Sequence, residues 1–183
     1  KWSADITGHL DYIKLLLRGE RIPISDACRQ CYHPNPYYRF SKFVYRFGEI
    51  IWRMEPFELI RVVTWMGWWI GIGFASRFLY LLLYNKKTRI TQNSRIFFIA
   101  LALFYFWPLQ FYFSAKISND IFHYVCTYIA LYFALNAWMN SGGKDDKKLW
   151  HFTLLAFGWN MIGIFMKSNS IIRFPIMLVP LLI

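Results

Sequence analysis

Asp5 and His9 stand four residues apart in the run D-I-T-G-H, a spacing that puts both side chains on one face if the segment is helical. A carboxylate set against an acceptor hydroxyl can take its proton, and cationic side chains can stabilise a departing phosphate. The chain supplies such cations at Lys116, Lys167 and Arg173, and the polar pair Asn119 and Asp120 follows the first of them closely. Together with Asp11 and His33, these are ingredients for a reaction at a membrane surface. Each also has a structural reading. Asp5 suits the first turn of a helix, Asn119 or Ser118 suits an N-cap, and Lys167 suits an interfacial anchor. Cys28 and Cys31 form a C-x-x-C followed by His33, but no further ligand lies nearby at zinc-finger spacing. Free thiols or a local disulfide fit that pair better, and no metal ligand is assigned.

The elements that must position these groups are helices in a bilayer. Of 183 residues, 57% are hydrophobic, 21% aromatic and only 17% charged, which excludes a disordered tail, a fibrous repeat and most soluble domains. Residues 96–115 are twenty positions without Asp, Glu, Lys or Arg, 121–143 are twenty-three and 149–166 are eighteen. Each is about the length that crosses a bilayer. On a chain without such runs, a formal charge of +11 would suggest nucleic acid. Here it serves topology and attraction to anionic headgroups, so membrane lipids are expected partners and nucleic acid is not.

The expected fold class is all-α, a multi-pass transmembrane helical bundle with a polar lobe before it. The lobe, residues 1–56, carries nine basic and six acidic residues with prolines at 23, 34, 36 and 56. Within it Ile6, Leu10, Ile13 and Leu17 share one helical face, with Thr7 as a cap and Gly19 as a stop. Phe40, Phe43, Phe47, Ile50 and Ile51 share another, opposed by Lys42, Arg46, Glu49 and Arg53. Both segments read as helices in the membrane interface, apolar face down; two ordinary amphipathic helices of a small globular lobe are the alternative. The region 57–183 then holds spans at about 57–84, 96–115, 121–140 and 149–166, with part of another at 174–183. Links 85–95 and 141–148 carry seven Lys and Arg against three for links 116–120 and 167–173. That count puts the first pair in the cytoplasm and residues 1–56 outside it.

The order of the polar motifs adds a resemblance. The stretch D-I-T-G-H-L-D-Y-I-K-L-L-L from Asp5 to Leu17, then R-I-P, then C-Y-H-P-N-P-Y-Y from Cys31 to Tyr38, resembles the first extracytoplasmic loop of polytopic glycosyltransferases with the C-type fold. It is most similar to the branch of dolichyl-phosphate-mannose protein mannosyltransferases and aminoarabinose transferases, although Asn35 here separates the two prolines. F-E-L-I-R from Phe57 resembles the start of their second span, S-A-K-I-S-N-D from Ser114 their Asn-Asp loop, and M-K-S-N-S from Met166 their Thr-Lys-x-Ser element.

The resemblance implies a partial C-type fold and transfer of a hexose or pentose, mannose-like or other. The donor would be a polyprenyl- or dolichyl-phosphate sugar, and the acceptor a hydroxyl on a protein, lipid or glycan. Asp5 matches the acidic residue serving as base or orienting carboxylate, with His9 and Asp120 as further catalytic candidates. His33, Tyr37 and Tyr38 match a loop element lining the cavity, Asn119 and Asp120 the Asn-Asp loop, and Lys167 a lysine at the extracytoplasmic mouth. Lys116 and Arg173 join Lys167 as candidates for binding the phosphate. Some members use a divalent cation, and a carboxylate-rich site favours magnesium or manganese over zinc without establishing any metal. The expected location is the endoplasmic reticulum or a bacterial inner membrane. Lys1 at the start and the apolar run ending at Ile183 read as the borders of an internal fragment, lacking the span that precedes the acidic loop in such enzymes. A transporter or non-catalytic membrane scaffold is the competing reading, and an inactive descendant of the transferase fold a third.

Overall fold

A computed structural model describes residues 4–20, 36–51, 56–84, 99, 102, 119–141 and 146–167. Among them the chain forms five helices and no strand: α1 Ala4–Arg18, α2 Pro36–Ile51, α3 Pro56–Tyr84, α4 Asn119–Asn140 and α5 Asp146–Met166. The expected span at 174–183 and the Cys28–Cys31 pair lie outside the described residues, as does the expected span at 96–115 apart from residues 99 and 102.

Local chemistry sets several of the boundaries. α1 starts at Ala4, so Thr7 lies inside the helix and does not cap it, and Asp5 is its second residue. Gly19 ends the helix with φ at 74°, its N–H donating to the Leu16 carbonyl at 3.2 Å while the Glu20 N–H donates to Leu15 at 3.2 Å. That double closure is a Schellman motif, and only glycine adopts its left-handed backbone without steric cost. Pro36 and Pro56 open α2 and α3, where the missing N–H has no intrahelical partner to lose.

α3, α4 and α5 have 29, 22 and 21 residues, about 43, 33 and 31 Å at 1.5 Å per residue. All three are long and apolar enough to cross a membrane. Their side chains are sorted as lipid requires. α5 buries Thr153, Ala156, Asn160 and Gly163, spaced three and four apart, while Trp150, Leu154, Phe157, Ile162 and Phe165 are exposed. Small and weakly polar residues therefore face the neighbour and large apolar ones face outward, the arrangement that lets membrane helices approach closely. The hydroxyls of Thr64, Ser76, Thr127 and Thr153 each donate to the carbonyl four residues earlier at 2.8 Å, which keeps them satisfied without water.

Ala156 of α5 packs on Ala130 and Ala134 of α4, forming a narrow seam. On the other side of α4, Ile121, Val125 and Ile129 meet Trp68 and Ile72 of α3. Gly71 makes that contact possible, because a Cβ there would stand 3.1 Å from Val125 Cγ2 and 3.3 Å from its Cα. The pairing of Gly71 with Val125 and of Phe74 with Tyr132 runs α3 and α4 parallel. α5 runs back antiparallel, with Phe152 near Phe133 and Lys167 at the Asp120 end. The starts of α3 and α4 and the close of α5 therefore share one end of the bundle. α1 and α2 form a layer across that end: Tyr12, Ile13, Tyr37, Tyr38 and Val44 pack on Leu59 and Ile60 of α3, with Phe122 and Met166 against them.

Candidate functional site

The polar groups at this end are held by helix termini. Asp120 lies in the first turn of α4 and Lys167 follows the last residue of α5, 47 positions later. The Lys167 Nζ donates to Asp120 Oδ1 in an ion pair whose side chains are 21% and 17% exposed. Each charge also complements its own helix, the carboxylate at an N-terminus and the ammonium at a C-terminus. The pair thus fixes a cation at the mouth of the bundle and ties α4 to α5.

Tyr37 of the lobe lies near the Asp120 side of the pair. The Tyr37 ring lies 5.7 Å from that of Phe122, two residues past Asp120. Tyr37 is fully buried, and burial pushes its hydroxyl above the ordinary tyrosine range; the nearby Ser41 hydroxyl tempers this and the Asp120 carboxylate adds to it. Among the described residues neither the Tyr37 hydroxyl nor Ser41 Oγ, both buried, has a hydrogen-bond partner. Tyr38, equally buried, forms a hydrogen bond of 2.7 Å with His9 Nδ1. Its ring stacks on Tyr12 at 3.9 Å and on His9 at 5.8 Å, and Tyr37 meets it edge-on at 5.1 Å. Burial raises the Tyr12 hydroxyl above its usual range, partly offset by the Arg39 guanidinium. α1 and α2 are thereby joined through a buried His–Tyr bond inside an aromatic stack.

Of the residues singled out from sequence, His9, Tyr37, Tyr38, Asp120 and Lys167 gather at this one end. Tyr37 and Tyr38 stand on α2 and not on a loop. Pro36 starts a helix at once, and the rings of both tyrosines are closed in by the core. Asp5 lies on α1 one turn before His9, and Asn119 is the first residue of α4. His33, Lys116 and Arg173 lie outside the described residues. Tyr12 and Ser41 join this cluster without being candidates from residue type; Tyr12 follows His9 by three residues and Ser41 follows Tyr37 by four, the helical spacings that mark them in the sequence.

No protein-family model, curated protein or solved structure matches this chain. What the site can do is therefore read from its own residues. It offers a fixed ammonium, a carboxylate that holds it, and an α1 segment bearing Asp5 anchored by His9. Among the described residues no three His, Cys, Asp or Glu side chains converge as a metal site would require. Asp120 is engaged by Lys167.

Proposed function

We propose that the protein is a membrane glycosyltransferase that moves a sugar from a polyprenyl-phosphate donor to an acceptor hydroxyl at the lobe-bearing end of the bundle. The observation that carries this reading is the Asp120–Lys167 pair at the same end of the bundle as the His9–Tyr38 bond, in a bundle whose outer surface suits lipid. The motif order from Asp5 to Ser170 supports it independently.

In this reaction Asp5 takes the proton of the acceptor hydroxyl. The acceptor oxygen then attacks the anomeric carbon, forming the new glycosidic bond as the bond to the lipid phosphate breaks. The electron pair leaves with the phosphate, whose growing charge meets Lys167, joined by Lys116 or Arg173. Asp120 keeps the Lys167 ammonium at the mouth before the donor arrives. His9, through Tyr38, holds α1 and hence the backbone that carries Asp5. In this reading residues 1–56 face the extracytoplasmic side of the endoplasmic reticulum or of a bacterial inner membrane.

The test supplies the full-length protein in nanodiscs with radiolabelled polyprenyl-phosphate sugars and follows both labelled product and free polyprenyl phosphate. Release of the lipid phosphate in step with a glycosylated product is expected. Absence of turnover and of donor hydrolysis with every donor would favour a transporter or scaffold instead.

A further inference from the structure

α2 has three faces, and only two of them are accounted for by the fold. Tyr37, Ser41, Val44 and Gly48 form the face buried against α1 and α3. Arg39, Lys42, Arg46 and Glu49 form a charged face, where Arg46 donates to Glu49 at 3.0 Å and reaches the Leu17 carbonyl at the end of α1. Between them runs a third face of Phe40, Phe43, Phe47 and Ile50, all exposed, with Phe43 66% and Ile50 79% accessible. The core thus takes a face distinct from the one that the aromatic spacing marks out. Because Tyr37 and Tyr38 are locked in place, α2 cannot roll to bury the aromatic stripe.

Three observations identify what covers it. Phe40 meets Phe122 at 5.3 Å, in the first turn of an apolar helix long enough to cross a bilayer. Tyr45 meets Phe57 at 5.1 Å, at the start of a second such helix. α2 therefore lies across the level at which two crossing helices begin, and Phe40 joins its exposed stripe to the first turn of α4. Its charged face carries three cations and one anion, matching anionic headgroups.

We propose that α2 lies in the membrane interface, its Phe40–Phe43–Phe47–Ile50 stripe in the acyl boundary and Arg39, Lys42 and Arg46 among anionic phospholipid headgroups. The lobe is then seated on the bilayer surface at a fixed height, whatever reaction it serves.

The test places the photoreactive residue benzoyl-phenylalanine at position 43 or 47 of the full chain, in nanodiscs of phosphatidylcholine and phosphatidylglycerol. Arg39 in the same chain serves as a control position on the charged face. After illumination, mass spectrometry is expected to show phospholipid adducts at 43 and 47, several-fold more than at 39. Doubling the phosphatidylglycerol fraction should raise its adducts beyond proportion, and Arg39→Gln with Lys42→Gln should abolish that excess. Crosslinked dimers of the chain, or adducts to a co-purified protein, would assign the stripe to a protein partner and overturn the proposal. So would adduct yields at 43 and 47 no higher than at 39. None of these readouts depends on sugar transfer, so the two proposals stand or fall separately.

Discussion

Deleting one oxygen from each of two adjacent tyrosines should change stability in opposite directions. Tyr37 and Tyr38 share the first turn of α2, and both are fully buried. Tyr38→Phe removes the 2.7 Å bond to His9 and leaves the Nδ1 atom of a buried imidazole without it. Losing one partner of a buried hydrogen bond costs about 1–3 kcal/mol. Tyr37→Phe removes a hydroxyl that has no partner among the described residues. Its burial already imposes a desolvation penalty of similar size, so the deletion relieves about 1 kcal/mol while the ring contacts with Phe122 and Tyr38 remain. At roughly 2–4 °C per kcal/mol for a chain of this size, a difference of about 2–4 kcal/mol should separate the two variants in Tm by about 4–16 °C. Thermal unfolding of the purified protein in nanodiscs, followed by tryptophan fluorescence and circular dichroism, measures this directly. Equal destabilisation by both substitutions would refute the reasoning, because it would mean that the Tyr37 hydroxyl is held by a partner as good as His9.

Breaking the Asp120–Lys167 pair by Asp120→Asn or Lys167→Met should cost about 2–3 kcal/mol each, between the values for exposed and for fully buried pairs. A double-mutant cycle in urea should return a coupling of at least 1 kcal/mol, and additive effects would show the pair to be energetically idle. Tyr37 and Tyr12 both titrate above the ordinary value of 10, so their neutral forms are favoured by folding. Their contribution is complete below about pH 10 and is lost as pH rises beyond it toward the folded-state values, since the unfolded chain then binds fewer protons. Tyr37→Phe should flatten the loss of Tm between pH 9.5 and 11.5, measured in matched buffers (on the order of half the decline). Gly71→Leu should lower Tm sharply by forcing α3 away from Val125, at a cost of about 1–3 kcal/mol or more. Gly67→Ala, which meets nothing within 4 Å, should raise stability by up to about 1 kcal/mol.

Much of this architecture is legible in the residues themselves. Uninterrupted apolar runs mark α4 and α5 because hydrocarbon tolerates few charges over its thickness, and Gly19 marks the end of α1 because a left-handed closure needs glycine. The start of α2 is not legible in the same way. A Pro-Asn-Pro run before two tyrosines looks like a loop, yet Pro36 is equally suited to the first position of a helix. Asp120 and Lys167 stand out as polar residues bordering apolar runs. Their pairing depends on α4 and α5 being antiparallel and in register, which no local signal encodes. The aromatic stripe of α2 is plain in its spacing, but a helix with two apolar faces does not reveal which one the core takes. That choice is made by Tyr37 and Tyr38 fitting against His9 and Tyr12.

The most direct test of the proposed reaction is single-turnover transfer from a radiolabelled polyprenyl-phosphate sugar by the full-length protein, with wild type compared with Asp5→Asn. A general base contributes on the order of 10²–10⁴ in rate, so the variant should lose at least a hundredfold in product formation while keeping its Tm and its donor binding. Equal rates for the two proteins would contradict the role of Asp5 and the mechanism built on it.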